Sequence, residues 1–452
     1  GDHGALWLSM LAVPLGALAA ARLSRRLGGG AGWVAFVVVG ALSPLTFYGA
    51  DQWEHAPALA LGLWAVALLV ERPDGRTALL AGLTAGAAVV LRREIVFFLL
   101  FLGLAELLVA AGRAHWTRRP GHRIVPVLVG GGLTLAVGFV FDREVMGGTT
   151  GGRSATQAAR AGSELAERLS DAVLTTVVQY PRLGFAEIVL GVAALAGMVM
   201  AGLGWRDDDA SRIRLGCILA VGCVAIRILS GTGFVPGAFA VLPLTGLAPV
   251  LARDVGRRLL VVAGAAVVAT IAFQWTGSLA AQWGGRYLLL PAAVVAVVAA
   301  AEIERRGWRQ PVARVALGTT AALAVFGLLW HVERTDWIGA RSDDLEAALA
   351  VDDVVVSTHA HFPRELGAMV TEGRWLRANT PADVPGALAV AATMGVDEIR
   401  LLHEGGCATD PCGQRWAESE VGREVPGWQS AGTVPIAWFG PRDWVLETLE
   451  RD

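Results

Sequence analysis

Residues 56–113 read APALALGLWAVALLVERPDGRTALLAGLTAGAAVVLRREIVFFLLFLGLAELLVAAGR. Three apolar runs, 56–70, 78–91 and 95–111, are parted by two unlike connections. The first carries Arg72 and Arg76 around a Pro-Asp-Gly turn, and the second is the bare Leu-Arg-Arg-Glu of residues 91–94. A helix needs about 20 apolar residues to cross a bilayer core, or about 17 at the short end. Runs of this length, so closely spaced, predict membrane helices rather than the strands and helices of a soluble core. Composition agrees: the chain is 54% hydrophobic and only 17% charged, with a mean hydropathy of +0.53. The solvent for most of it is lipid.

Nine more runs of the same kind lie at 5–21, 33–48, 124–141, 188–203, 213–229, 234–251, 259–275, 287–301 and 315–332. The expected fold is an all-α polytopic membrane domain of about twelve transmembrane helices over residues 1–332. A small α/β soluble domain follows over 333–452.

Arginine placement orients the helices. If the runs alternate across the bilayer, six connections fall on one side. They hold Arg22, Arg25 and Arg26; Arg72 and Arg76; Arg113, Arg118, Arg119 and Arg123; Arg206, Arg212 and Arg214; Arg253, Arg257 and Arg258; and Arg305, Arg306, Arg309 and Arg314. The short connections opposite hold only Arg92, Arg93 and Arg286. The positive-inside rule makes the crowded side cytoplasmic, so the protein is expected as a multi-pass cell-membrane protein with its C-terminal domain outside. All 38 basic residues are Arg against 40 acids, for a net charge of −2. Spread over short loops, they leave no nucleic-acid footprint.

From Glu333 onward, charges and prolines replace the long apolar runs. Strands are expected at 354–357, 374–378 and 398–403, and helices at 363–371 and 382–394. No glycine-rich phosphate loop follows the first strand, which argues against a nucleotide site there. Cys407 and Cys412 sit in a turn-rich loop and read as a disulfide in an oxidising compartment. A zinc half-site is the competing reading, and no second pair stands beside it. His359 and His361 lack a third ligand at suitable spacing. Cys217 and Cys223 lie inside an apolar run.

Three polar clusters fall at the arginine-poor helix ends. In Ser43-Pro44-Leu45-Thr46-Phe47-Tyr48-Gly49-Ala50-Asp51-Gln52-Trp53-Glu54-His55-Ala56-Pro57, the spacing of Asp51 and Glu54 fits a variant capping box. The same carboxylates, with His55, fit a general base or the ligands of a divalent cation facing a watery cavity. The sequence does not decide between those roles and names no metal set. In Leu91-Arg92-Arg93-Glu94, two arginines on the arginine-poor side need a partner, either Glu94 or an anion. In Gln282-Trp283-Gly284-Gly285-Arg286-Tyr287, the aromatics are interfacial anchors, and Arg286 is placed to meet a phosphate. Arg227, inside an apolar run, is expected to snorkel outward. Glu106 and His331 carry weaker signals.

Taken together, SPLTFYGADQWEHAP, LRRE, FDREVMGG, QWGGRYLLLP and the α/β tail resemble the GT-C superfamily of membrane glycosyltransferases. The nearest branch is that of bacterial relatives of protein O-mannosyltransferases and aminoarabinose transferases. The resemblance implies a polyprenyl-phosphate-linked sugar as donor, an acceptor of unstated class, and inverting transfer on the extracytoplasmic face. It implies catalytic roles for Glu54 and Asp51, and substrate contacts at Arg286, Tyr287, Arg92, Arg93 and His55. The family's principal acidic residue, in a first outer loop, has no good counterpart at Asp2. The resemblance therefore implies a further segment upstream of Gly1. The rival readings are a transporter or lipid flippase, or a non-catalytic member of the same scaffold. Transporters commonly show internal repeats, and none is evident between the halves.

Overall fold

The computed structural model describes residues 3–50, 54–71, 74–112, 121–144, 185–230, 237–274, 286–350, 352–358, 374–378, 383–404, 427–436 and 444–452. They form two compact units, His3–Trp330 and His331–Asp452.

The first unit is a helical bundle. Its elements are α1 (His3–Arg26), α2 (Trp33–Ala41), α3 (Pro44–Gly49), α4 (His55–Val70), α5 (Gly75–Leu91), α6 (Ile95–Gly112), α7 (Gly121–Glu144), α8 (Phe185–Asp207), α9 (Ala210–Leu229), the short α10 (Ala248–Leu251), α11 (Asp254–Ala269) and α12 (Leu289–Arg306). The opening turns of α13 (Pro311–Ala348) complete it. Among the described residues five stretches are long and apolar enough to cross a membrane: Leu6–Arg26, Ile124–Glu144, Ile188–Asp207, Asp254–Phe273 and Pro311–Glu333. Among the described residues α4, α5 and α6 are apolar but shorter.

Two expected spans are not continuous helices. Residues 33–48 break at Ser43, which is extended (φ −108°, ψ 168°) and caps α3 by accepting the Leu45 amide at 3.1 Å. Pro44 follows at the first helical position, where its missing N–H costs nothing and its ring cannot extend α2. Of the run 234–251, the described residues 237–251 are broken by prolines into a 3₁₀ turn, Pro243–Leu247, and the single α-turn of α10. Irregular backbone survives at membrane depth only where protein covers it. Here Leu242, Leu244, Thr245 and Leu247 are all buried, and Thr245 Oγ1 donates to the Leu242 carbonyl at 2.7 Å.

The centre of the bundle is α12. Leu289 through Ile303 are buried without interruption, as expected of a helix apolar on every side. Its alanines and valines let α1, α2, α4, α6 and α11 approach it. Glycines set the other close pairs. A Cβ on Gly130 of α7 would stand 2.5 Å from the Leu79 carbonyl oxygen and 2.8 Å from the Leu83 amide of α5. On Gly197 of α8 it would stand 2.8 Å from the Ala220 amide of α9. Such backbone approach is what joins helices where burial from water supplies no drive. Only 6% of the Ile124–Glu144 stretch is buried, so α7 depends on this seam. Gly130→Val is therefore expected to cost roughly 1–3 kcal/mol or more and to expose the α5–α7 pair to protease. Gly132→Val, with open space around it, is the matched control and should leave the cleavage rate unchanged.

The second unit holds a five-stranded mixed sheet: β1 (Val354–Ser357), β2 (Arg374–Arg377), β3 (Glu398–Glu404), β4 (Trp428–Ile436) and β5 (Trp444–Arg451), in the order β2-β1-β3-β5-β4. β1 runs parallel to β2 and β3, whereas β5 is antiparallel to β3 and β4. α14 (Val384–Thr393) covers one face, packing Val384, Leu388 and Ala391 on Val354, Val356, Ile399 and Leu401. On the other face Val355, Leu402 and Leu446 pack with Leu345 from the last turns of α13. The expected helix at 363–371, His359, His361 and the Cys407–Cys412 loop lie outside the described residues. Cys217 and Cys223 are free thiols.

Candidate functional site

Contacts between helix ends sort the connections of the first unit onto two ends of the bundle. At one end, Arg22 grips Glu71 with Nε and Nη2, each at 2.6 Å, and Arg26 adds a contact at 3.3 Å. The Arg22 hydrogen bonds hold the Glu71 carboxyl below the usual carboxylate range, against the opposing effect of burial. Glu304 accepts the Gly32 amide at 3.0 Å, Arg258 donates to Glu106 at 3.0 Å, and Arg306 donates to the Trp205 carbonyl at 3.3 Å. All of these groups belong to the arginine-rich connections or the helix ends beside them. Asp74 and Asp209 cap α5 and α9 there, accepting the Thr77 amide at 2.7 Å and the Ser211 and Arg212 amides at 3.0 Å. Those amides draw both carboxyls below their ordinary values.

The other end gathers residues from three separate stretches of sequence. α3 and α4 bring Tyr48, Glu54 and His55; the α5–α6 connection brings Arg92 and Glu94; and the 3₁₀ turn Arg286–Leu288 ahead of α12 brings Tyr287. His55, Arg92, Glu94 and Tyr287, with Ile95 and Leu290 among others, line a small pocket at this end, and Glu54 and Tyr48 flank it through their contacts to Arg92 and His55.

Arg92 is the hub. Its Nε donates to Glu94 Oε1 at 2.5 Å, and Nη2 contacts the same oxygen. Its Nη1 reaches Glu54 Oε1 at 3.3 Å and lies 3.2 Å from His55 Nε2. The guanidinium lies 5.2 Å from the centre of the Tyr287 ring, a cation–π contact. His55 is 2% exposed and stacks on Tyr48 with ring centroids 4.7 Å apart. The Glu94 side chain is 8% exposed and that of Glu54 44%. One carboxylate therefore fixes the arginine from below, while the other stands at the rim with access to water.

Several expectations change at this site. Glu54 occupies the residue before α4 and its side chain caps no amide of that helix; its expected capping partner, Asp51, lies outside the described residues. Arg93 is exposed in the turn and is not among the pocket's lining residues; Glu94, the partner of its neighbour, is. Asp51 and the side chain of Arg286 lie outside the described residues. Arg227 does not reach outward: it is 3% exposed, inside the bundle. The stacking of Tyr48 under His55 joins two residues seven apart in one polar cluster and has no signature in the sequence. Among the described residues no group of three or more His, Cys, Asp or Glu is arranged to hold a metal ion.

The pocket thus combines a buried imidazole and a guanidinium anchored by a buried carboxylate, with the half-exposed carboxylate of Glu54 in contact with that guanidinium beside it. Such a set can accept a proton at the rim and present a fixed positive charge beside it. Comparison of the chain with protein-family models, with curated proteins and with solved structures finds no match.

Proposed function

We propose that this protein is a membrane glycosyltransferase that moves a sugar from a polyprenyl-phosphate carrier to an acceptor on the extracytoplasmic face. The single observation that carries the reading is the convergence of His55, Arg92 and Tyr287 on one pocket, with Glu54 in contact with Arg92 beside it, at the end of the bundle opposite its arginine-rich connections. The positive-inside rule assigns that end to the exterior, where a lipid-borne donor and an aqueous acceptor can meet. The resemblance to the GT-C superfamily supplies the reaction class.

Glu54 takes the proton of the acceptor hydroxyl. The acceptor oxygen then bonds to the anomeric carbon from the face opposite the phosphate. The bond from that carbon to the phosphate oxygen breaks, and its electron pair leaves on the polyprenyl phosphate. Guanidinium groups stabilise that departing charge. Arg92 serves because only its Nη1 edge is turned to Glu54, while Glu94 holds the rest; a phosphate at the pocket would replace Glu54 as its partner and release the carboxylate to the acceptor. Arg286 and Asp51, adjoining the site in sequence, are assigned to the lipid phosphate and to the support of Glu54. A divalent cation at the phosphate is compatible with this scheme and is not required by it.

The test is direct. Membranes containing the full chain are incubated with polyprenyl-phosphate-linked radiolabelled sugars, and the labelled product is identified. Label moving to a protein, lipid or glycan acceptor supports the proposal. If the label stays on the carrier and only its transbilayer distribution changes, the protein is a flippase instead.

A further inference from the structure

At the opposite end of the bundle four arginines stand at three helix ends, two of which are tied by the contact of Arg306 with Trp205. Arg206 closes α8, Arg253 immediately precedes α11, and Arg305 and Arg306 close α12. Arg306 lies across the Trp205 ring, 5.6 Å from its centre, and donates Nη1 to the Trp205 carbonyl. Its Nε is buried and has no hydrogen-bond partner among the described residues. Compensation is incomplete. Arg305 pairs with Glu302 of its own helix, and Arg206 pairs with Asp207 at 2.8 Å, which leaves Arg253 and Arg306 without a facing carboxylate among the ion pairs described. Partial burial, and then repulsion from Arg253, lower the affinity of both Arg305 and Arg306 for their protons. Like charges gathered at this density are stabilised by a bound anion.

The depth of the cluster says which anion. Trp33 and Trp308 meet edge to face beside it, ring centroids 5.5 Å apart, and are 42% and 41% exposed. Exposed tryptophans at helix ends mark the level of the lipid headgroups. Basic pockets between membrane helices at that level receive phospholipid phosphates. Guanidinium donors match phosphate oxygens in geometry as well as charge.

We infer that Arg253, Arg305 and Arg306, with Trp205 as the floor beneath Arg306, form a binding site for the phosphate of an anionic phospholipid headgroup. This site is separate from the pocket at Glu54 and does not rest on the glycosyltransferase reading. A bound lipid would tie the ends of α8, α11 and α12 together where their own charges repel.

The experiment uses the purified full-length chain in nanodiscs of phosphatidylcholine with titrated phosphatidylglycerol. Retained lipid is counted by native mass spectrometry, and the thermal unfolding midpoint is recorded at each composition. Wild type is expected to retain phosphatidylglycerol selectively and to be stabilised by it. Arg253→Gln and Arg306→Gln should each weaken retention about fivefold, while Arg212→Gln, whose arginine is already paired with Asp207 and Asp209, should leave it unchanged. Arg253 is exposed, so its variant reports on the site even if loss of the Arg306–Trp205 contact impairs folding. Inorganic phosphate is titrated in parallel. Stabilisation by phosphate alone, lost in the same variants, keeps the anion site and moves its source to a soluble phosphate. No selectivity for phosphatidylglycerol together with no response to phosphate overturns the inference, as does an equal loss in all three variants.

Discussion

Arg92→Met is expected to destabilise the first unit by about 3–5 kcal/mol, the largest stability effect of any single substitution considered for this chain. The reason is Glu94. Its side chain is 8% exposed and it is held by Arg92 through Nε and Nη2. Removing the arginine leaves a carboxylate in a poorly solvated position with its main cationic partner gone, and that loss far exceeds the net worth of the pair itself. The Tyr287 ring loses its cation at the same time. The double variant Arg92→Met with Glu94→Leu removes both charges and should recover most of the stability, because a matched apolar pair avoids desolvation altogether. Unfolding midpoints of the detergent-solubilised protein, read as a double-mutant cycle, test this. Equal midpoints for wild type and the single variant would show that Arg92 does not hold Glu94 in the folded protein.

Glu54→Gln separates chemistry from stability. Under the proposed mechanism the amide cannot take the acceptor proton, and transfer is expected to fall by roughly 10²–10⁴-fold. The folded state should scarcely notice. Glu54 is half-exposed, its contact to Arg92 is 3.3 Å, and exposed pairs of that kind contribute about 0–1 kcal/mol. A glutamine carbonyl can still accept from Nη1. The expected signature is an unchanged unfolding midpoint with transfer nearly abolished, the opposite of the profile expected for Gly130→Val. Undiminished transfer by Glu54→Gln would remove this carboxylate from the mechanism and send the search for the base to Asp51.

Much of the architecture could be read from the residues one at a time. Run length and hydropathy named a helical membrane domain, and the arginine-bearing connections expected to share a side meet at one end of the bundle through Arg22–Glu71, Arg258–Glu106 and Arg306–Trp205. In the tail, β1, β2, β3 and α14 stand where the local patterns put them. Local patterns do not mark the edge strand β4, whose residues 429–435 are all exposed and carry no apolar alternation, nor the interior strand β5 beside it. Run counting does not reveal the breaks at Ser43 and Pro243, because hydropathy is blind to proline. Pro44 and Pro243 break the helix without lowering the apolar content.

By itself the sequence determined that the chain belongs in lipid, which connections share an end, and that three polar clusters stand at the arginine-poor helix ends. These are consequences of composition and period, which are local. Only the tertiary structure decided that Arg92 rather than Arg93 turns inward, that Glu94 pairs with it, that Arg227 is enclosed, and that His55 lies on Tyr48 beside Tyr287. Those outcomes depend on how α4, α5 and α6 pack around α12, and that packing is set by contacts between residues far apart in the chain. A buried charge must find its counter-charge in space, and hydropathy along the chain does not encode where that partner will be.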